Sequence, residues 1–125
     1  MAAPNIVNVT SIIGKTTFDT DVATSASATL TNSASSDKVL KVNTIIAANI
    51  DGSNDADITV YVSNASNTTA LYHLAKTITV PADSSLVITS KDTSFYLEEN
   101  RRIIALASAA GDISLMISYE EIDDA

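Results

Sequence analysis

Short runs rich in Val, Ile, Leu and Thr alternate with runs of Ser, Asn, Asp and Ala along most of this chain. Inside the apolar runs the hydrophobic positions recur at every second residue. That is the period of a strand with one buried face, not the roughly 3.6-residue period of a helix. Runs of this kind cover residues 5–13, 26–32, 38–50, 56–64, 70–80, 85–90, 94–97, 101–108 and 113–119, the second being weak. Strand-stopping residues bound them: Gly14 after the first, Asp51-Gly52 after the third, Pro81 after the fifth and Gly111-Asp112 before the last. In the third run, Leu40, Val42, Ile46, Ala48 and Ile50 fall on one face, interrupted by Thr44, and Lys41, Asn43 and Asn49 fall on the other. In the fourth, Ile58, Val60 and Val62 face in while Thr59, Tyr61 and Ser63 face out. In the last, Ile113, Leu115, Ile117 and Tyr119 oppose Ser114, Met116 and Ser118.

One segment carries a competing signal. Residues 98–110 hold good helix formers and end in Ala. Ile103-Ile104 and the strand signals around them favour a strand. Residues 19–36 and 63–69, rich in Ser, Thr, Ala and Asn, read mostly as loop. About eight short strands joined by turns predict an all-β fold: an antiparallel two-sheet sandwich, jelly-roll or Ig-like. The connections are too short for crossover helices, so antiparallel pairing is expected. With 125 residues the chain makes one domain, with residues 1–20 as an N-terminal strand or arm and 21–125 as the sandwich.

Composition narrows the function classes. There are 15 acids against 7 bases, a net charge of −8, which argues against direct nucleic-acid binding. No run approaches the roughly 18 apolar residues of a membrane helix. The start, MAAPNIVNVT, lacks a basic region before an apolar stretch, so no Sec signal is expected. Cys and Trp are absent, and His73 is the one histidine. Disulfides and thiolate metal sites are therefore excluded from this chain.

The remaining chemistry-bearing residues carry little. His73 sits within a strand signal, with no nucleophile or orienting group placed beside it by the pattern. The stretch 51–57, DGSNDAD, offers hard oxygen ligands but not the spacing of an EF-hand, and is expected to be a turn capping its own backbone. Glu98-Glu99 and the tail 120–125, EEIDDA, are expected as a solvated acidic edge that discourages strand-to-strand aggregation. Arg101 and Arg102 form the one adjacent basic pair and could meet an acidic neighbour. No catalytic, cofactor-binding or metal-binding residue is assigned, and no small-molecule substrate is implied.

Residues 38–120, with Lys91-Asp92, Val80-Pro81-Ala82, Tyr96-Leu97-Glu98-Glu99 and the closing Ser118-Tyr119-Glu120-Glu121-Ile122, resemble small virion proteins of tailed bacteriophages of the marine and cyanobacterial type. Residues 8–16, with Gly14-Lys15-Thr16, are similar to the opening of the same group. None of these marks is catalytic. The resemblance implies a non-enzymatic capsid decoration, or cement, protein: made in the host cytoplasm, placed on the particle surface, binding the major capsid protein and itself, with trimers expected. A neck, collar or tail component is the alternative within that group. A receptor-binding β module is a further one, with Tyr61, Tyr72, Tyr96 and Tyr119 as its stacking groups. The apolar start supplies candidate interface residues Ile6, Val7, Val9, Ile12 and Ile13, to which Arg101 and Arg102 are added.

Overall fold

The computed structural model describes residues 9–123. Nine strands follow one another: β1 (Ser11–Asp19), β2 (Ser27–Asn32), β3 (Lys38–Asn49), β4 (Ala56–Asn64), β5 (Ala70–Val80), β6 (Ser85–Thr89), β7 (Phe95–Leu97), β8 (Arg101–Ala107) and β9 (Ile113–Asp123). A single 3₁₀ turn, Lys91–Thr93, separates β6 from β7. All the pairings are antiparallel.

The strands form two sheets. The first runs β1-β9-β3-β6, with β7 also pairing β3 beyond the turn; the second runs β2-β8-β4-β5. Strands β6 and β7 thus share one side of β3 and together act as one interrupted strand. Counted that way, eight strands alternate between the sheets, with β4 and β5 as the hairpin inside the second. This is the jelly-roll order, not the immunoglobulin one. The helix signal at 98–110 yields to strand β8, because β8 is flanked by both β2 and β4. A central strand gains ladder bonds and burial on both faces, which outweighs the weak helix propensity of its alanines.

The core lies between the sheets. Ile45, Ala47, Ile113, Leu115 and Ile117 come from the first sheet; Ile58, Val60, Ile103 and Ala105 come from the second. Two buried asparagines close the ends. Asn49 Nδ2 donates to Asn54 O and Val80 O, both at 2.9 Å. At the opposite end Asn32 Nδ2 donates to Lys38 O and Leu97 O, also at 2.9 Å. Asn32 ties its sheet to two carbonyls of the other, and Asn49 ties its own to one carbonyl of the other and to the loop before β4, so neither amide is buried unpaired.

The face assignment of the third run needs correcting. The β3–β9 register slips between Val42 and Thr44, leaving Asn43 as the extra residue of a bulge. Beyond it the alternation changes phase: Ile45, Ala47 and Asn49 are buried, while Ile46 and Ala48 turn to the outer face and Ile50 is exposed. A one-residue slip exchanges the two faces of a strand.

Strand β1 also departs from expectation. It does not stop at Gly14 but runs on to Asp19, in unbroken register with β9. A Cβ at Gly14 would meet nothing within 4 Å, so that glycine neither breaks the strand nor is required by it. Of residues 1–20, Ser11–Asp19 therefore form an edge strand of the first sheet.

The expected acidic edge is not at an edge. Strand β9, which carries Glu120 and Glu121, lies between β1 and β3. Glu121 binds Lys15 of β1 and Lys38 of β3, each at 3.0 Å. Glu99 lies in the turn before β8 and accepts a bond from the Asp37 N–H at 2.8 Å.

Candidate binding surfaces

The outer face of the first sheet carries an apolar row. Phe18 of β1 is opposite Met116 of β9, Met116 is opposite Ile46 of β3, and Ile46 is opposite Val87 of β6. Four large side chains thus lie in register from one edge of the sheet to the other. Phe18 is 67% exposed and Val87 58%, with Ile46 and Met116 half-buried. The flanking positions are small and uncharged: Thr16 and Ser118 on one side, Ala48 and Ser114 on the other.

The second sheet has a comparable row on its own outer face, with a different fate. Ala28, Ile104, Tyr61 and His73 are register partners across β2, β8, β4 and β5. Here Ile104 is 0% and Tyr61 6% exposed. The loop after β4 is tied over this face. Tyr61 Oη donates to Thr68 O at 2.7 Å, Ser63 Oγ to Asn67 O at 3.2 Å, and Arg102 Nη2 to Asn67 O at 2.7 Å. His73 packs its ring 5.1 Å from that of Tyr61, tilted by 50°.

Where β5 faces β6 and β7, the sandwich opens into a cleft of about 610 Å³. Its floor is Val62, Leu74, Ile88 and Phe95, and exposed Tyr72 and Tyr96 stand at its rim. Arg101 closes one end, with Nη1 donating to Asn64 Oδ1 at 3.0 Å.

The loops at the end that holds Gly111 are acidic. Residues 20–26, 50–55, 81–84 and 108–112 contain Asp21, Asp51, Asp55, Asp83 and Asp112 and no Lys or Arg. Asp51 caps its own turn, accepting from the Ser53 N–H at 2.8 Å and from Asn54 Nδ2 at 3.1 Å. These bonds, that to Ser53 foremost, hold its carboxyl below the usual range. Burial and then the charge of Asp51 push Asp112 the other way. Asp21 accepts the Gly111 N–H at 2.7 Å, with Gly111 at φ +82°, a conformation open to glycine and costly for side-chain-bearing residues. Among the described residues no group of three or more His, Cys, Asp or Glu side chains could hold a metal ion.

The candidate interface residues are dispersed. Ile6 and Val7 lie outside the described residues. Val9 is half-buried, and Ile12 and Ile13 are exposed on edge strand β1. Arg101 and Arg102 point to opposite sides of the second sheet, one into the cleft and one beneath the loop after β4, so they do not form a joint anchor. Phe18, Ile46, Met116 and Val87 were not among the candidates. Their signal was the register between strands far apart in sequence, which local alternation does not carry.

No protein-family model matches the chain, and no curated protein does. Its fold is similar to a solved structure from the disulfide-linked pili that form Bacillus endospore appendages. The two share 18% identity over 92% of this chain and 90% of that one, with a TM-score of 0.51. At that identity the likeness establishes the β-sandwich fold.

Proposed function

We propose that this chain is a non-enzymatic structural subunit of a tailed-phage particle, most directly a decoration protein that binds the outside of the head and ties neighbouring capsomers together. The observation that carries this reading is where the uncovered apolar residues lie. Ile12, Ile13, Phe18 and Val87 lie on the edge strand and outer face of the first sheet, and Leu71, Tyr72 and Ile78 on β5, the edge strand of the second. Such a surface suits adhesion to another protein, not enclosure of a reacting group. The sequence resemblance supplies the particle, the major capsid protein as partner and the expectation of self-association. The pilus likeness is compatible with a subunit used many times over. Without cysteine, copies of this chain are held without the disulfide links of those pili.

Cement action follows from linkage. A subunit that binds only the expanded shell stabilises that shell by its binding free energy, and many copies bridging adjacent capsomers add through avidity. Quantitative mass spectrometry of purified particles of the encoding phage tests the reading. Copies matching the capsomer contacts support it. A handful per particle moves the protein to the neck, collar or tail, and absence from particles overturns it.

The cleft favours a second reading, a receptor-binding module. Tyr72 and Tyr96 flank an apolar floor with Arg101 at one end, an arrangement suited to stacking a sugar ring. Glycan-array binding lost in Tyr72→Ala and Tyr96→Ala would favour it over the first.

A further inference from the structure

We propose that the outer face of the first sheet is a two-fold interface with a second copy of this chain, the two sheets packed face to face with their strands antiparallel. Three observations select this occupant. First, the apolar row Phe18–Met116–Ile46–Val87 crosses the whole sheet and stays uncovered, whereas the comparable row of the second sheet is capped by the loop after β4. Second, the positions beside the row, Thr16, Ser118, Ala48 and Ser114, are small and uncharged, so two such faces approach closely without desolvating a charge.

Third, charge decides the orientation. The acidic loops occupy one end of the sandwich, and Lys41 stands on this same outer face toward the other, opposite Glu120 and Tyr96. Met116 is four residues from Asp112 and four from Glu120, about 13 Å each way along β9. A two-fold axis lying along the row therefore brings the acidic end of each copy level with the partner's Lys41 and the partner's Glu120, whose charges offset each other, and away from the partner's aspartate loops. Parallel strands would instead set the two acidic ends together, at a cost in repulsion. Strands about 4.8 Å apart and roughly ten residues long give a face of the order of 600 Å² per copy. Standard interfaces bury about 800 Å² per partner. A face below the standard size suits a weak, reversible dimer.

The proposal goes beyond the virion reading and is tested without phage. Sedimentation velocity on the full chain, from about 1 to several hundred micromolar, should show a monomer–dimer equilibrium. Phe18→Asp should raise Kd at least about ten-fold, because it buries an unpaired carboxylate. Lys41→Glu should raise it several-fold at low salt, with the effect shrinking as salt rises. Tyr72→Asp, in the cleft, should leave it unchanged, and thermal melts should show each variant folded. A wild-type chain that stays monomeric, or any oligomer whose Kd ignores Phe18→Asp, overturns the proposal. So does a monomer that loses binding to phage heads on Phe18→Asp, since the face then belongs to the capsid protein; that result would leave the virion reading standing.

Discussion

Ile104 and Tyr61 lie side by side on the outer face of the second sheet and are buried; Ile46 and Met116 lie side by side on the outer face of the first and stay half open to water. Both pairs are register partners on central strands. What differs is the chain after them. Beyond β4, residues 65–69 fold back and give up the carbonyls of Asn67 and Thr68 to Arg102, Ser63 and Tyr61. Nothing among the described residues is bonded across the Phe18 row in this way. An outer face that a protein covers with its own loop has become part of its fold. One left bare across its full width is available to a partner.

Paired truncations give the sharpest break in this comparison. Ile104→Ala should cost about 2–5 kcal/mol, as expected for a fully buried aliphatic side chain. Phe18→Ala should change monomer stability by no more than about 0.5 kcal/mol, as for an exposed position. Urea unfolding of both variants at low protein concentration measures the contrast, and equal losses would remove the distinction between the faces. A smaller effect comes from the cap. Tyr61→Phe deletes the bond to Thr68 O and should cost about 1 kcal/mol. Hydrogen exchange should show residues 65–69 opening while the first sheet stays protected.

An effect no larger than that of the cap belongs to the bare face's own sheet. Glu121 stitches β1 to β3 through Lys15 and Lys38, and its bond to Lys38 contributes most to holding its carboxyl below the ordinary glutamate range. Folding favours the ionised form. Its contribution is therefore complete above the ordinary glutamate range and is lost as pH falls through the lowered value. Glu121→Gln should cost up to about 1 kcal/mol at neutral pH, since both lysines are substantially exposed. Melts across pH should show the wild type and variant converging in acid.

Much of the fold was legible because it rests on local alternation. Segments 38–50, 56–64, 70–80, 101–108 and 113–119 all contain strands, and the faces of β4 and β9 follow the pattern of their residues. The phase of β3 was not legible. The stretch Val42-Asn43-Thr44-Ile45-Ile46-Ala47-Ala48 satisfies either face, and only the register against β9 shows where the extra residue falls. That error concealed Ile46, and with it the apolar row. The continuation of β1 past Gly14 concealed Phe18 for a related reason: the ladder offered by β9 carries an edge strand through a glycine that its own propensity would read as a stop. Tyr61 was legible as facing outward, but its burial depends on a loop whose composition looks merely polar.

The displaced backbone at Asn43 works like a half-twist put into a ribbon. Beyond it Ile46 comes out on the upper side, where it meets Met116 and Val87. Iron out that twist without shortening the strand and Ile46 would turn into the interior, cutting the sticky stripe in its middle; take the extra amino acid out instead and the stripe keeps its side.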